Sequence, residues 1–346
     1  MHTRPVLWYD IGSNSTRRTD VCYMNIKCTQ NIYKSANGVS NVTYYILTPE
    51  QSELRGIVQL SHGMCEYFSR YTAFAKYLCG LGFIVCGNDH IGHGASVSRD
   101  ADLGFFSVRD GWKYLVEDVK QLTDLMQHRY PNLPYFILGH SMGSLIVRLY
   151  LTEYGDRLSG CILTGTAGPQ PAAISAAHLA DSIARSRGVT YRSGFLSTIT
   201  FRGYNRRIKN PHSIFDWISR DRDVVSLYQS DEKCNFIFTA TGFRDLYTLV
   251  IKANANSTFR RTPNTLPLLF LSGDKDPVGK YGEGVRRVVN LYRGAGLKNI
   301  EVIFYKDARH DIFNELDRLQ AFGDISRWLE AQLSAQAEAR DEQAVN

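Results

Sequence analysis

The sequence predicts an α/β protein: a mostly parallel, doubly wound sheet with helices on both faces, split by an inserted, mainly helical segment. Three observations carry this. Between residues 56 and 130, short apolar runs alternate with stretches of helical spacing, a rhythm that stacks parallel strands between helices. It stops after Thr166 and resumes at Leu268. Finally, Gly139-His140-Ser141-Met142-Gly143 joins an apolar run to a helical one, the strand-turn-helix setting in which a GxSxG sequence holds a serine at a strained elbow.

In chain order, residues 1–34 are polar without a sustained period and read as an extension that packs weakly or not at all. Val42 to Thr48 is β-branched and aromatic and reads as a strand; Pro49 to Arg55 is a turn. Gly56 to Ser61 and Phe83 to Asn88 are buried strands, with a helix over Tyr71 to Leu81 between them. Trp112 to Tyr130 is a helix whose apolar face is Leu115, Val119, Leu122 and Met126. Tyr135 to Leu138 leads into the serine turn, and Cys161 to Thr166 is the next strand. The core domain is therefore expected over 35–166 and 263–335, with 167–262 as an insertion placed to cap the active-site edge. Leu268 to Ser272 and Ile300 to Tyr305 complete the sheet, a helix covers Val285 to Tyr292, and Phe313 to Leu333 forms a final amphipathic helix. Residues 336–346 read as a polar tail.

The bulk properties narrow the function. A formal charge of +6 over 346 residues, without long basic runs, argues against a nucleic-acid partner. No apolar stretch reaches the roughly 18 to 20 residues that span a bilayer, and Val6 to Tyr9 is too short for a signal core, so a cytoplasmic protein is expected. Seven cysteines without a CxxC pair fit reduced thiols better than a disulfide framework or a zinc site. Neither a metal nor a cofactor is expected.

A serine hydroxyl becomes a nucleophile when a base takes its proton, and the usual base is a histidine steered by a carboxylate. In a doubly wound hydrolase the order is serine, acid, histidine, with the last two on loops after late strands. Ser141 is followed by Gly273-Asp274-Lys275-Asp276-Pro277 and by Lys306-Asp307-Ala308-Arg309-His310-Asp311. His310 is the only histidine after the insertion. Of the two aspartates, Asp276 is the expected partner because Pro277 fixes its backbone, whereas Asp274 follows the strand closely enough to brace the turn. Asp311 is expected to cap or brace the run from Ile312. Two backbone N–H groups would receive the oxyanion: that of Met142, after the nucleophile, and that of Met64, in the glycine-bearing turn Ser61-His62-Gly63-Met64. Each such donor is typically worth about 3 kcal/mol in the transition state.

Together with Asn88-Asp89-His90-Ile91-Gly92-His93-Gly94-Ala95-Ser96, these stretches resemble the monoacylglycerol lipase and lysophospholipase branch of the α/β-hydrolase superfamily, the serine aminopeptidase-like branch, and are most similar to bacterial members. The resemblance runs from about Gly56 to the final helix and includes Phe215-Asp216-Trp217. It implies the α/β-hydrolase fold, a triad of Ser141, Asp276 and His310, and an oxyanion site at Met64 and Met142. The Asp89 to Ser96 turn then shapes the floor of the site, with His90 and His93 structural. The first 35 residues and the insertion depart from the pattern, which leaves the substrate less defined than the chemistry.

The insertion carries Phe195, Phe201, Phe215, Trp217, Phe236, Phe238 and Phe243, apolar surface to be divided between its own core and a tunnel for an acyl chain. Arg202, Arg206, Arg207 and Lys209 cluster nearby, where a solvated helix face, a phosphate headgroup or transient contact with a membrane surface are the alternatives. The reading is a serine hydrolase that cleaves the ester of a single-chain acyl lipid, a monoacylglycerol or a lysophospholipid, through an acyl-enzyme. Its rivals are an aminopeptidase or amidase using the same triad, and a non-catalytic module that binds lipid or a partner.

Overall fold

A computed structural model describes residues 26–50 and 53–345. Among the described residues eight strands form one sheet: β1 (Ile26–Lys34), β2 (Asn41–Pro49), β3 (Gly56–Ser61), β4 (Phe83–Asn88), β5 (Tyr135–His140), β6 (Gly160–Thr164), β7 (Leu268–Gly273) and β8 (Ile300–Tyr305). Their order is β1-β2-β4-β3-β5-β6-β7-β8, antiparallel at β1-β2 and β2-β4 and parallel from β4 to β8. Every residue of β3, β4, β5, β6 and β7 is buried, because helices cover both faces. On one face lie α1 (Thr72–Gly80) and α10 (Arg318–Val345), with Phe74, Leu78, Phe322, Ile325 and Leu329 in a common core. On the other lie α2 (Gly111–Arg129), α3 (Met142–Tyr154) and α9 (Glu283–Gly294).

The chain runs from β3 outward to β4 and then returns to the other side of β3 as β5, so strand order reverses between β3 and β5. At such a switch point the loops diverge and leave a crevice beyond the carboxyl ends of the strands. Ser61 pairs with Gly139 there, so the turns carrying Met64 and Ser141 leave the sheet side by side.

Between β6 and β7 run α4 (Ala172–Arg187), α5 (Gly194–Phe201), α6 (Arg222–Ser230), α7 (Ala240–Ala253) and α8 (Asn256–Arg261), with no strand of the sheet among them. These helices share a core with the sheet layer, Leu246, Leu249 and Val250 packing in one cluster with Leu145, Ile146 and Leu149. Arg148 of α3, wholly buried, donates to the Ala167 carbonyl at 3.1 Å and to Asn254 Oδ1 at 3.0 Å, tying the start of the inserted segment to its end.

Two expectations at the ends of the chain need correction. Residues 26–34, read as part of a loosely packed extension, form a strand in nine-residue register with β2, and Tyr33 Oη donates to the Asp118 carbonyl at 2.7 Å. An antiparallel edge strand that faces solvent holds its place by ladder bonds, so its polar centre Thr29-Gln30-Asn31 hid it from a search for apolar runs. The rest of the expected extension, residues 1–25, lies outside the described residues. At the other end, the helix expected from Phe313 starts at Arg318 after a 3₁₀ turn over Ile312–Asn314, and continues to Val345 through the expected polar tail. Glu315 explains the late start: its buried carboxylate accepts from the amides of Arg309 (2.8 Å) and Arg220 (3.1 Å), which pins the backbone in a turn.

Candidate active site

Ser141 stands between the last residue of β5 and the first of α3 with φ 52° and ψ −119°, a conformation that costs an L-residue on the order of 1–3 kcal/mol. The glycines around it explain how the chain tolerates this. A Cβ on Gly139 would lie 2.6 Å from the Gly143 carbonyl oxygen, and one on Gly143 would strike the carbonyls of Ser61 and His62. Strand and helix therefore meet backbone to backbone, and Ser141 is braced by its amide, which donates to the Thr164 carbonyl at 2.9 Å.

The end of β6 holds His310 as well. Gly165, with φ 56°, follows Thr164, and a Cβ there would come within 2.8 Å of His310 Cε1. His310 Nδ1 lies 3.0 Å from Asp276 Oδ1, which also accepts from the Val278 amide at 2.8 Å. The Asp276 carboxylate is fully buried. Asp274 does not face the histidine; it accepts from the Asp307 amide at 2.8 Å and so braces the loop after β7 against the loop after β8. Burial disfavours the charged form of His310, but the Asp276 carboxylate against its Nδ1, helped by the charges of Asp311 and Glu66, overcomes this and raises its pKa above the ordinary imidazole value. The ring also packs against Trp217 of the inserted segment and against His140, at centroid distances of 5.1 and 4.8 Å.

Ser141, His310, Met64 and Met142 line one cavity of about 890 Å³. Met142 opens α3, where an N–H has no acceptor within the helix. On either side of Met64 the amides are taken, Gly63 N–H by the Glu66 carboxylate and Cys65 N–H by His93 Nε2 at 3.3 Å; that of Met64 has no acceptor among the described residues. A Cβ on Gly63 would sit 3.0 Å from the Ser141 Cβ, so this turn lies directly beside the serine.

The Asp89 to Ser96 turn packs beneath. Asp89 accepts from the amides of Phe68 and Ala95 at 2.8 and 2.7 Å. His62 Nδ1 is 2.8 Å from the Gly63 carbonyl and its Nε2 accepts from the His90 amide at 2.9 Å, the pattern of a neutral ring protonated on Nδ1. Burial drives the pKa of His62 far down, that of His90 to about 3 and that of His93 to about 4. None of these three lines the cavity; they support the turn that carries Met64.

The expected aromatic lining divides in three. Phe201, Phe215, Trp217 and Phe236 face the cavity, Phe238 and Phe243 are fully buried in the shared core, and Phe195 is 60% exposed.

A sequence family described as serine aminopeptidase, S33, matches residues 52–317. The chain belongs to that family. Among its relatives, the monoacylglycerol lipase of Mycolicibacterium smegmatis is 27% identical over 313 residues, 88% of this chain and 98% of that one. Human monoglyceride lipase is 27% identical over 278 residues, 80% and 82% of the two chains. Among solved structures, the fold matches a thermostable carboxyl esterase from Bacillus coagulans, in complex with glycerol, with TM-score 0.84 and 30% identity, over 89% of this chain and 100% of that one. This S33-family protein thus lies on the monoacylglycerol lipase-like branch of the α/β-hydrolases and is a carboxylic ester hydrolase.

In this hydrolase the sequence reading passed over a buried ion network that joins the Met64 turn to the His310 loop. Glu66 accepts from the Gly63 amide and from Tyr71 Oη (2.6 Å), Arg70 Nε approaches Glu66 at 3.5 Å, and Arg70 Nη2 donates to Asp311 at 2.8 Å. Asp311 therefore acts through Arg70 and Asn314, at 2.9 Å, and makes no side-chain cap. The available signal was a Glu-Arg pair four residues apart directly after the turn. Gly165 was missed too, marked only by its place at the end of an apolar run.

Proposed function

We propose that this ester hydrolase cleaves single-chain acyl lipids through an acyl-enzyme formed on Ser141. The observation that carries this is the Asp276–His310 contact at one wall of the cavity that Ser141 also lines. His310 Nε2 takes the Ser141 hydroxyl proton as Oγ bonds to the ester carbonyl carbon. Asp276 keeps the other ring proton on Nδ1 and stabilises the imidazolium that forms. The carbonyl oxygen, now anionic, accepts from the N–H groups of Met64 and Met142, which aim at developing charge without having to reorganise. Collapse breaks the bond to the alcohol, which leaves with the proton from His310. A water, deprotonated by the same ring, then releases the fatty acid and restores Ser141.

The apolar lining by Leu145, Leu179, Ile199, Phe201, Ile214 and Val250 suits one acyl chain, each buried methylene adding about 0.8 kcal/mol. Monoacylglycerols and lysophospholipids both fit this requirement, and the relatives named above are lipases of the first kind. Ile214 and Phe195 of the inserted segment are 76% and 60% exposed and offer apolar contact to a lipid surface from which substrate enters. No described helix is long and apolar enough to cross a membrane. An amine-recognising site, as an aminopeptidase requires, has little support: the carboxylates lining the cavity, Glu66 and Asp311, are both committed to Arg70.

Ser141→Ala should abolish turnover of p-nitrophenyl esters across chain lengths while the protein still folds by circular dichroism, and a fluorophosphonate probe should label Ser141 alone. Near wild-type turnover by the variant would overturn the assignment. Turnover of aminoacyl amides with none of esters would transfer the same machinery to a peptidase, and no turnover of either would leave a binding module.

A further inference from the structure

Beside the Ser141 cavity lies a second cleft of about 630 Å³, whose polar lining includes Arg202, Arg206, Arg207, Lys280, Tyr281 and Glu283. The two are neighbours with a common wall, since Arg202, Gly203, Tyr204 and Arg206 line both. Four cations thus face one carboxylate. None of the four is paired with a carboxylate among the described residues, and Arg207 instead lies 3.7 Å over the ring of Tyr281. Other arginines near the site are neutralised, Arg70 by Asp311 and Glu66 and Arg220 by Glu315 and Asp317.

The far side of the cleft is built from the turn that follows Asp276. Lys280, Tyr281 and Gly282 have φ of 50°, 57° and 90°, three successive left-handed residues, and the Tyr281 amide donates to the Asp276 carbonyl at 2.8 Å. Holding two side-chain-bearing residues there costs free energy, and the conformation sets Lys280 and Tyr281 along the cleft. The amino end of α9, which opens at Glu283, adds the positive end of a helix dipole. From His310 the cleft is two aromatic contacts away: Trp217 lies 5.1 Å from the imidazole and Tyr204 lies 4.9 Å from Trp217.

We infer that this cleft binds a phosphate group, and that the hydrolase takes phosphate-bearing single-chain esters with the acyl chain in the Ser141 cavity and the headgroup between Arg202, Arg206, Arg207 and Lys280. Arginine forks match phosphate oxygens in pairs, and a phosphate ester carries more charge for them to neutralise than a carboxylate does. The concave shape and the wall common with the reaction cavity favour a substrate headgroup over a flat membrane surface. The inference rests on the ester-hydrolase reading above.

The test compares 1-acylglycerol 3-phosphate with the monoacylglycerol of the same short chain, both presented as monomers, using wild type and the Arg207→Gln/Lys280→Gln double variant. Both residues line the cleft and not the Ser141 cavity. The expected result is a loss of about tenfold or more in kcat/KM for the phosphate ester, mostly in KM, with the neutral ester within about twofold of wild type. Arg207→Lys/Lys280→Arg, which keeps the charges, should recover most of the loss. Inhibition of neutral-ester turnover by inorganic phosphate, abolished in the double variant, would show that free phosphate occupies the cleft; insensitivity to it with the discrimination intact assigns the cleft to a lipid headgroup. Equal losses on both esters, or none on either, would overturn the inference and leave the hydrolase reading standing. So would a loss seen only on anionic phosphatidylglycerol vesicles, which would make the cleft a membrane contact. If wild type turns over neither ester, the hydrolase reading and the inference fall together.

Discussion

Two groups of buried imidazoles stand on the same edge of the sheet, and they are tuned in opposite directions. His62, His90 and His93, in the turns after β3 and β4, are held neutral by burial. His310, after β8, is as deeply enclosed, yet its pKa is raised because Asp276 lies against Nδ1. Burial alone gives a structural histidine that ties up backbone groups; burial with a carboxylate gives one that can accept a proton and hold it. The comparison also separates two contributions to the site, since the first group ties down the turn that carries the Met64 amide and the second holds the imidazole proposed as the base.

Removing the carboxylate should erase the difference. Asp276→Asn leaves the packing nearly unchanged but lets His310 adopt the wrong tautomer, so kcat should fall by about 10⁴-fold. The base proposed here, His310, must be neutral to act in wild type, so on that proposal kcat/KM should be lost as pH falls through a value above the ordinary 6.5, because the shift of His310 is upward. In Asp276→Asn the residual activity should lose this limb at lower pH. A pH–rate profile with the same acid limb in both proteins would show that Asp276 does not set the charge of His310. Gly165→Ala probes position with the carboxylate kept. The added methyl must occupy space within 2.8 Å of the imidazole and adopt φ 56°, and a displacement of about 1 Å is enough for a loss on the order of 10²-fold in kcat. Wild-type kcat in that variant would mean that the β6 end does not seat the ring.

The sequence exposed one half of this comparison more readily than the other. Ser141, Asp276 and His310 are legible because each follows an apolar run of strand length, and β3, β4, β5 and β8 appear close to their expected bounds for the same reason. The support of the Met64 turn is not legible in that way. Glu66, Arg70 and Asp311 are separated by up to 245 positions of chain order and meet only because the segment after β3 and the loop after β8 pack together at the sheet edge. Polar contacts of this kind have no period. The same limit hid β1, whose stability comes from ladder bonds to β2, and the start of α10, which depends on where Glu315 finds its donors.

Smaller effects follow from the neutral group. His93→Phe keeps the aromatic packing on Phe106, Phe236 and Phe238 but removes the acceptor for the Cys65 amide. It displaces the Met64 N–H without deleting it, so the loss should stay below the roughly 10²–10³ typical of a missing oxyanion donor, at about tenfold in kcat with KM little changed. An unchanged kcat would show that the turn holds its shape without the imidazole.

The last consequence concerns stability. A histidine whose folded pKa is depressed binds fewer protons folded than unfolded, so its contribution is complete above the ordinary 6.5 and is lost as pH falls towards the folded value. His90, brought down to about 3, should therefore cost up to about 1.4 kcal/mol per pH unit below 6.5. His310 has the opposite sign: its contribution is complete below 6.5 and is lost as pH rises through its raised value. Asp89, raised to about 6 by burial, likewise opposes the histidines in acid. The net slope therefore mixes signs, and a difference isolates one group. Urea unfolding between pH 7 and pH 4 should show a shallower loss of stability in His90→Gln than in wild type, by about one proton's worth. Parallel curves would mean that His90 is protonated in the fold, which would place a charge beneath the Met64 turn where the geometry has only a neutral ring.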